Sequence, residues 1–294
     1  MSSTDKMSSR ELGLVLAQQI LGVEDLHYSL WDTDLELSLG HIALAQQRYT
    51  EMLLALMDEL LADHPAPRIL DVGCGTGHML QLMVERGYAV DAVNPAAALN
   101  KLVRERLAAL PQTTATTLYE TDFESLPRSS CQHQYDLLLF SESFQYIPLP
   151  ELFEKSLALL KPGGQLLVCD FFKTDAHGDG GDGDRSFSGG HLLREFYRSV
   201  AASAFTLKQD EDLTARVSPN IALLDEWLTQ RLLPATGSID QYLSGRHPRL
   251  TRFIKWLARH KLARVRYKYL SGHRSQAVFE KYKSYRLLVL QLGN

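Results

Sequence analysis

The sequence is poor in cysteine and has no long apolar run, and each shortage excludes a class of protein. Cys74, Cys131 and Cys169 lie far apart, without the spacing of a metal site. So few cysteines exclude a disulfide scaffold and point to a reducing cytoplasm, with no metal expected. No run of about 18 apolar residues occurs, so no membrane-spanning helix is expected. Residues Met1 to Gly13 lack the apolar centre of a secretory signal. No internal repeat is visible.

What is there is ordinary globular composition, 45% hydrophobic and 22% charged, which excludes a disordered or collagen-like chain. A length of 294 residues suits one enlarged domain with a cap. The net charge of −4 hides an asymmetry. Of 31 Lys and Arg and 35 Asp and Glu, the segment Arg246 to Arg286 holds 13 cations and a single acid, Glu280. An acidic body thus carries a basic C-terminal segment.

The chain to about residue 64 reads as helical, because Ile42, Ala45, Tyr49, Met52, Leu53, Leu56 and Leu60 recur at helical spacing. His64, Pro65 and Pro67 break it. Strands and helices then alternate. Strands are expected over 68–72, 88–93, 116–121, 135–141 and 165–172, and helices over 79–86, 96–110 and 152–160. Lys161, Pro162, Gly163 and Gly164 stop the last of these helices. Such alternation implies a parallel sheet covered on both faces. Residues 175–184 form a glycine and aspartate loop with no apolar anchor, which is expected to be mobile. A helix over 191–203 and a strand over 205–212 follow. Residues 219–280 read as mostly helical, with a last strand at 285–290. The division is a helical cap (1–66), a core (67–218), a basic helical insertion (219–280) and a last core strand (281–294).

The central motif runs from Ile69 to Gly77 through Asp71, Gly73, Cys74 and Gly75. It is a strand that turns through glycines into a helix, so backbone N–H groups can approach a ligand without Cβ clashes. A dinucleotide site needs G-x-G-x-x-G. Here the spacing is G-x-G-x-G, position 78 is His, and Asp71 would repel a pyrophosphate. A carboxylate there suits an ammonium group.

This motif resembles the first motif of the class I S-adenosylmethionine-dependent methyltransferases, commonly (V/I)LDxGCGTG. Three companions extend the resemblance over roughly residues 27–172: Asp122-Phe123 with Leu126-Pro127, Tyr135-Asp136, and Leu159 to Gly164. It implies a Rossmann-like α/β fold, a doubly wound sheet, mostly parallel with an antiparallel last strand, plus a helical cap. It also implies S-adenosylmethionine as cofactor. Asp122 would then face the adenine amino group and Phe123 pack on the ring. The family usually has Asp or Glu where Asn94 ends the second strand. A neutral amide should hold the ribose diol less strongly. Asp91, an odd number of residues earlier, should face the other side of its strand. His27 to Trp31 resembles the H-Y-G-x-W segment of cyclopropane-synthase-like and tocopherol-type small-molecule methyltransferases, which implies that Tyr28 and Trp31 close over the cofactor. The alternative is a packed aromatic cluster.

The acceptor pocket should lie outside the C-terminal strand ends. Ser141, Glu142 and Gln145 follow the fourth strand, beside the expected sulfonium. Gln145 is no base at neutral pH but can orient an acceptor oxygen. Glu142 is a candidate base or a solvated strand-end carboxylate. Asp170 ends the fifth strand and is a candidate general base or a turn cap. His191 is a candidate catalytic residue or a structural histidine. The acids of 175–184 lack the closing Glu of a calcium loop. The basic segment is either a surface face offsetting the acidic body or a contact for an anionic substrate, with RNA the least favoured partner. The expected function is methyl transfer to O, N or C of a small-molecule metabolite or natural-product intermediate. The alternatives are a carrier-protein-bound or RNA acceptor, and a non-catalytic cofactor-binding regulator.

Overall fold

The computed structural model describes residues 24–25, 27–110, 116–127, 132–187, 189–227, 229–230, 233–249, 251–253, 255–257, 259–260 and 273–293. Seven strands form one sheet: β1 (Arg68–Val72), β2 (Ala89–Val93), β3 (Leu118–Tyr119), β4 (Tyr135–Ser141), β5 (Leu160–Lys173), β6 (Phe205–Asp212) and β7 (Lys283–Leu292), in the order β3-β2-β1-β4-β5-β7-β6. The pairs β1–β2, β1–β4, β2–β3 and β4–β5 are parallel. β7 runs antiparallel to both β5 and β6.

Burial explains why β4 reads as a continuous apolar run. Leu137 and Leu139 enter one core and Leu138 and Phe140 the other. A strand covered on both faces has no polar side to show. The first core is roofed by helix α1 (Ile42–Leu60), which buries Ala45, Tyr49, Leu53 and Met57, one residue per turn. The second is roofed partly by α4 (Leu149–Leu159) and α5 (Leu193–Ala201), through Leu152, Phe153 and Phe196. Helices α2 (His78–Glu85) and α3 (Ala97–Ala109) follow β1 and β2.

Three expectations need correction. Among the described residues before α1 (the helix expected over 1–23 lies outside them), those within 24–38 are not helical, and the first helical turn is a 3-10 turn at Leu39–His41. Their backbone is spent elsewhere: Leu30 N–H donates to Ala45 O at 2.9 Å and Trp31 N–H to Arg216 O at 2.8 Å. The Lys161–Gly164 turn lies inside β5, because Leu160 already pairs with Tyr135 before a register shift to the Leu137–Gln165 pair. The 175–184 loop is tied down: Asp179 accepts from Tyr282 Oη at 2.7 Å and pairs with Lys281 at 2.7 Å. In the 219–280 segment the described helices are α6 (Thr214–Val217, just before it), α7 (Pro219–Trp227), α8 (Leu233–Arg246), helical residues within 248–260, and α9 (Gln276–Tyr282). Cys131 and the sequence 261–272 lie outside the described residues.

The strand order reverses between β1 and β4. β2 and β3 lie on one side of that point, and β5, β7 and β6 on the other. A crevice opens there at the C-terminal strand ends, where ligands of open α/β sheets bind.

Candidate functional site

The turn after β1 builds one wall of this crevice. Gly73, Gly75 and Gly77 have φ of 80°, 56° and 79°, the left-handed region that penalises a side chain. A Cβ on Gly73 would sit 2.5 Å from Ser143 Cβ. A Cβ on Gly75 would meet nothing within 4 Å, so the loop is open towards the crevice at that residue. Gly77 ends the turn as the N-cap of α2 and does not line the cavity.

The cavity has a volume of about 540 Å³. Among its walls are Asp71, Gly73, Cys74 and Gly75 from the first turn, Asn94 from the end of β2, and Asp122 and Phe123 after β3. Ser141 and Glu142 close it at the end of β4. The fold therefore brings nine of the residues singled out in the sequence to one place. Tyr28, Trp31, Asp170, Gln145 and His191 stand outside the lining.

Asp71 is 2% exposed, and its Oδ2 has no hydrogen-bond partner among the described residues. Burial, reinforced by the charge of Asp25, pushes its pKa up to about 7. Burial also opposes the ionisation of Asp25, but hydrogen bonds and charge from His27 and His78 outweigh it and hold that carboxyl below the usual range. His78 Nδ1 lies 2.8 Å from Asp25 Oδ2. Asn94 is turned into its own loop: Nδ2 donates to Gly75 O at 3.2 Å, and Oδ1 accepts from Ala96 N at 3.3 Å. Asp91 points away from the crevice into a buried cluster, with Arg68 Nη2 at 2.6 Å and Tyr135 Oη at 2.8 Å. Asp122 Oδ1 accepts from Ser125 N at 2.8 Å, and its pKa is lowered first by the Ser125 side chain and then by this backbone bond.

Glu142 is the strained residue of the site, at φ 55° without being glycine. Such a conformation costs about 1–3 kcal/mol and persists only where surroundings enforce it. Here its backbone N donates to Cys169 O at 2.9 Å, while Oε1 accepts from Tyr28 N and from Tyr285 Oη, each at 2.7 Å. Burial raises its pKa, opposed by the charge of His27. Tyr49 Oη extends the chain, 2.9 Å from Ser141 Oγ and 3.3 Å from Tyr285 Oη.

Asp170 is fully buried, and burial, opposed by bonds from Gln145, pushes its pKa up to about 8. Gln145 N and Nε2 donate to its two oxygens at 3.0 and 3.1 Å, and Phe171 N donates at 2.7 Å. Lys283 lies beside it, its ammonium 4.6 Å from the Phe171 ring centroid and bonded to Gly189 O. His191 packs edge-on to Phe144, with Nε2 3.4 Å from Phe144 O. Trp31 packs with Ala45 and Leu223, its Nε1 donating to Asn220 at 3.2 Å, and the Tyr28 ring meets Phe279 and Tyr285 edge-on.

Sequence reasoning missed Asp25, His27, Met79, Leu99, Ser143 and Tyr146 as cavity residues. Of the His27–Trp31 segment it is His27 that reaches the cavity, stacked on Tyr49 at 4.1 Å. Met79 and Leu99 stand on the first turns of the helices after β1 and β2, a position that strand-turn-helix geometry aims at the crevice.

Comparison with known proteins agrees with this geometry. The family model described as "Methyltransferase domain" matches residues 44–218. Protein-L-isoaspartate O-methyltransferase of Methylorubrum extorquens is 32% identical over 127 residues, which is 43% of this chain and 52% of that protein. Malonyl-[acyl-carrier protein] O-methyltransferase of Anoxybacillus flavithermus is 27% identical over 176 residues, 59% of this chain and 57% of that protein. The chain thus spans about half the length of the curated relatives it matches. Geranyl diphosphate C-methyltransferase of Streptomyces coelicolor A3(2), solved with Mg2+, geranyl-S-thiolodiphosphate and S-adenosyl-L-homocysteine, shares the fold. Its TM-score is 0.65 at 17% identity, covering 95% of this chain and 91% of that one. With a matched model over more than half its length and the glycine turn, sheet order and crevice all in place, the chain belongs to the class I S-adenosylmethionine-dependent methyltransferase family.

Proposed function

We propose that the protein is an enzyme that methylates O, N or C of a small-molecule metabolite or biosynthetic intermediate. The observation that carries this reading is Asp71: a buried carboxylate with one oxygen unpartnered, at a cavity whose glycine turn opens at Gly75. An ionised carboxylate in such a place gains from a cation more than from any neutral group. The residues present fit S-adenosylmethionine, which supplies an activated methyl group on a sulfonium when bound. Asp71 would hold its ammonium and the Gly73–Gly75 backbone its amino-acid end. Asn94 would hold the ribose, Asp122 the adenine amino group and Phe123 the ring face.

The chain's remaining task is to align an acceptor and, where needed, to take its proton. Glu142 is placed for that, since it lines the cavity and burial raises its proton affinity. Gln145 is buried outside the cavity lining and spends its backbone N–H and Nε2 on Asp170, so it braces the turn that brings Tyr146 to the cavity wall. Asp170 accepts three N–H groups and acts through Gln145, as a positioning residue. His191 supports the Phe144 turn that carries Gln145. Tyr28 fixes Glu142 through its backbone N–H, while Trp31 braces the segment behind it. Residues before Pro67 and the 219–280 insertion cap a core of 67–218 completed by 281–294. A cytoplasmic setting is supported by Cys74 and Cys169, both buried and free. An acceptor carried on a protein is the second reading, supported by the match to the malonyl-carrier enzyme.

Calorimetric titration tests the cofactor half. S-adenosylhomocysteine should bind and NAD should not; the reverse result overturns the reading. Methyl transfer from labelled cofactor to a pool of small metabolites tests the rest, and tight cofactor binding without turnover on any acceptor would leave a non-catalytic binder.

A further inference from the structure

The feature farthest from use in methyl transfer is the arm formed by α8 and the helical residues within 248–260. Phe253, Trp256 and Leu257 are 57%, 59% and 69% exposed, and Tyr242 and Leu243 on α8 are exposed as well. Spacings of three and four put Phe253, Trp256 and Leu257 on one arc of a helix. Arg252, Lys255 and Arg259, with the same spacings, fall on the neighbouring arc. The Phe253 and Trp256 rings stack at 6.2 Å, and the Arg259 guanidinium lies 4.9 Å from the Trp256 ring centroid. Lys255 pairs with Asp240, but Arg249 and Arg252 form no ion pair with a described residue.

Contiguous exposed aromatic and aliphatic side chains beside free cations mark an interaction surface. The charge asymmetry says what kind. The cations are gathered in and after this arm, while the remainder of the chain is acidic, so an anionic surface attracts the arm and repels the body. The apolar side chains project from a helix whose described residues are almost all exposed. A flat, deformable, anionic partner fits this shape best, and Trp, Phe and Leu beside Arg and Lys are the residues that lie in a membrane interface.

We propose that the arm docks the protein on an anionic lipid bilayer. The Phe253–Trp256–Leu257 arc enters the headgroup boundary, and Arg249, Arg252 and Arg259 face lipid phosphates. The arm lies on the bilayer and does not cross it: among the described residues no helix is long and apolar enough to span.

Flotation of the full chain with vesicles tests this. The protein should float with phosphatidylcholine vesicles containing phosphatidylglycerol, not with phosphatidylcholine alone, and less as salt rises. Arg249→Glu with Arg252→Glu should reduce partitioning at least tenfold, at roughly 1 kcal/mol per cation removed and a further penalty for each acid added. Phe253→Ser with Trp256→Ser and Leu257→Ser should reduce it at least as much. Binding of S-adenosylhomocysteine should be unchanged in both variants, which shows that they fold. Absence of flotation with anionic vesicles overturns the proposal, as does flotation of both variants equal to that of the native protein. Capture of an acidic carrier protein without vesicle binding also overturns it and gives the surface to a protein partner.

Discussion

Asp71 on β1 and Asp170 on β5 are both buried carboxylates, 2% and 0% exposed, and burial raises the pKa of each, to about 7 and about 8. They differ in what surrounds them. Asp170 receives three N–H donors, whereas Asp71 Oδ2 receives none. One carboxylate is tied into the protein's own N–H groups, and the other keeps an oxygen with no partner among the described residues. The contrast teaches that depth alone does not identify a functional acid; the state of its lone pairs does.

The contrast makes opposite demands on the two residues. Asp170→Leu strands buried N–H groups at about 1–3 kcal/mol each, so unfolding in urea should show a loss of about 3 kcal/mol or more. A variant that unfolds with the native protein would mean that those bonds contribute nothing. Asp71→Asn removes a charge without stranding a donor. The free protein should keep or gain stability, while affinity for S-adenosylhomocysteine falls roughly 10- to 100-fold, the worth of about 1.5–3 kcal/mol for a bond to a charged group. An affinity within twofold of native would place the ammonium elsewhere. The smallest effect belongs to Asn94, whose amide already serves Gly75 and Ala96. Asn94→Ala should weaken binding by about 0.5–1.5 kcal/mol and Asn94→Asp should retain or improve it. Unchanged affinity in Asn94→Ala would show that another residue holds the ribose.

These two carboxylates also show how far the sequence could be read. Asp71 sits inside a contiguous strand-turn-helix motif, so its place at the crevice was legible from a few neighbouring residues. The two-faced burial of β4 and the buried face of α1 were legible for the same reason, since both rest on local periodicity. The partners of Glu142 were not. They are Tyr28 and Tyr285, 114 and 143 residues away in sequence, and the left-handed backbone that presents its carboxylate carries no glycine to announce it. An aromatic motif does not say which ring turns inward, so it points to Tyr28 and Trp31 and not to His27. Local periodicity marks the buried face of α1 but not its start, so it carries the helix too far, over residues 24–38.

The central claim is that Asp71 is kept for a cation, and its titration tests that claim most directly. Its pKa rises from 3.8 to about 7 on folding, so the folded state binds the proton more tightly than the unfolded chain. The stability cost of ionising it is absent below about pH 4, grows as pH rises, and is complete above about pH 7. An ammonium ligand binds the ionised form and must expel that proton. Calorimetry with S-adenosylhomocysteine between about pH 5.5 and about pH 8 should show affinity climbing roughly tenfold per pH unit below 7 and levelling above it. Proton release should accompany binding in the native protein near pH 6.5, and Asp71→Asn should show neither the climb nor that release. A flat profile in the native protein, or the same climb in Asp71→Asn, would contradict the assignment of Asp71 as the cofactor's counter-ion.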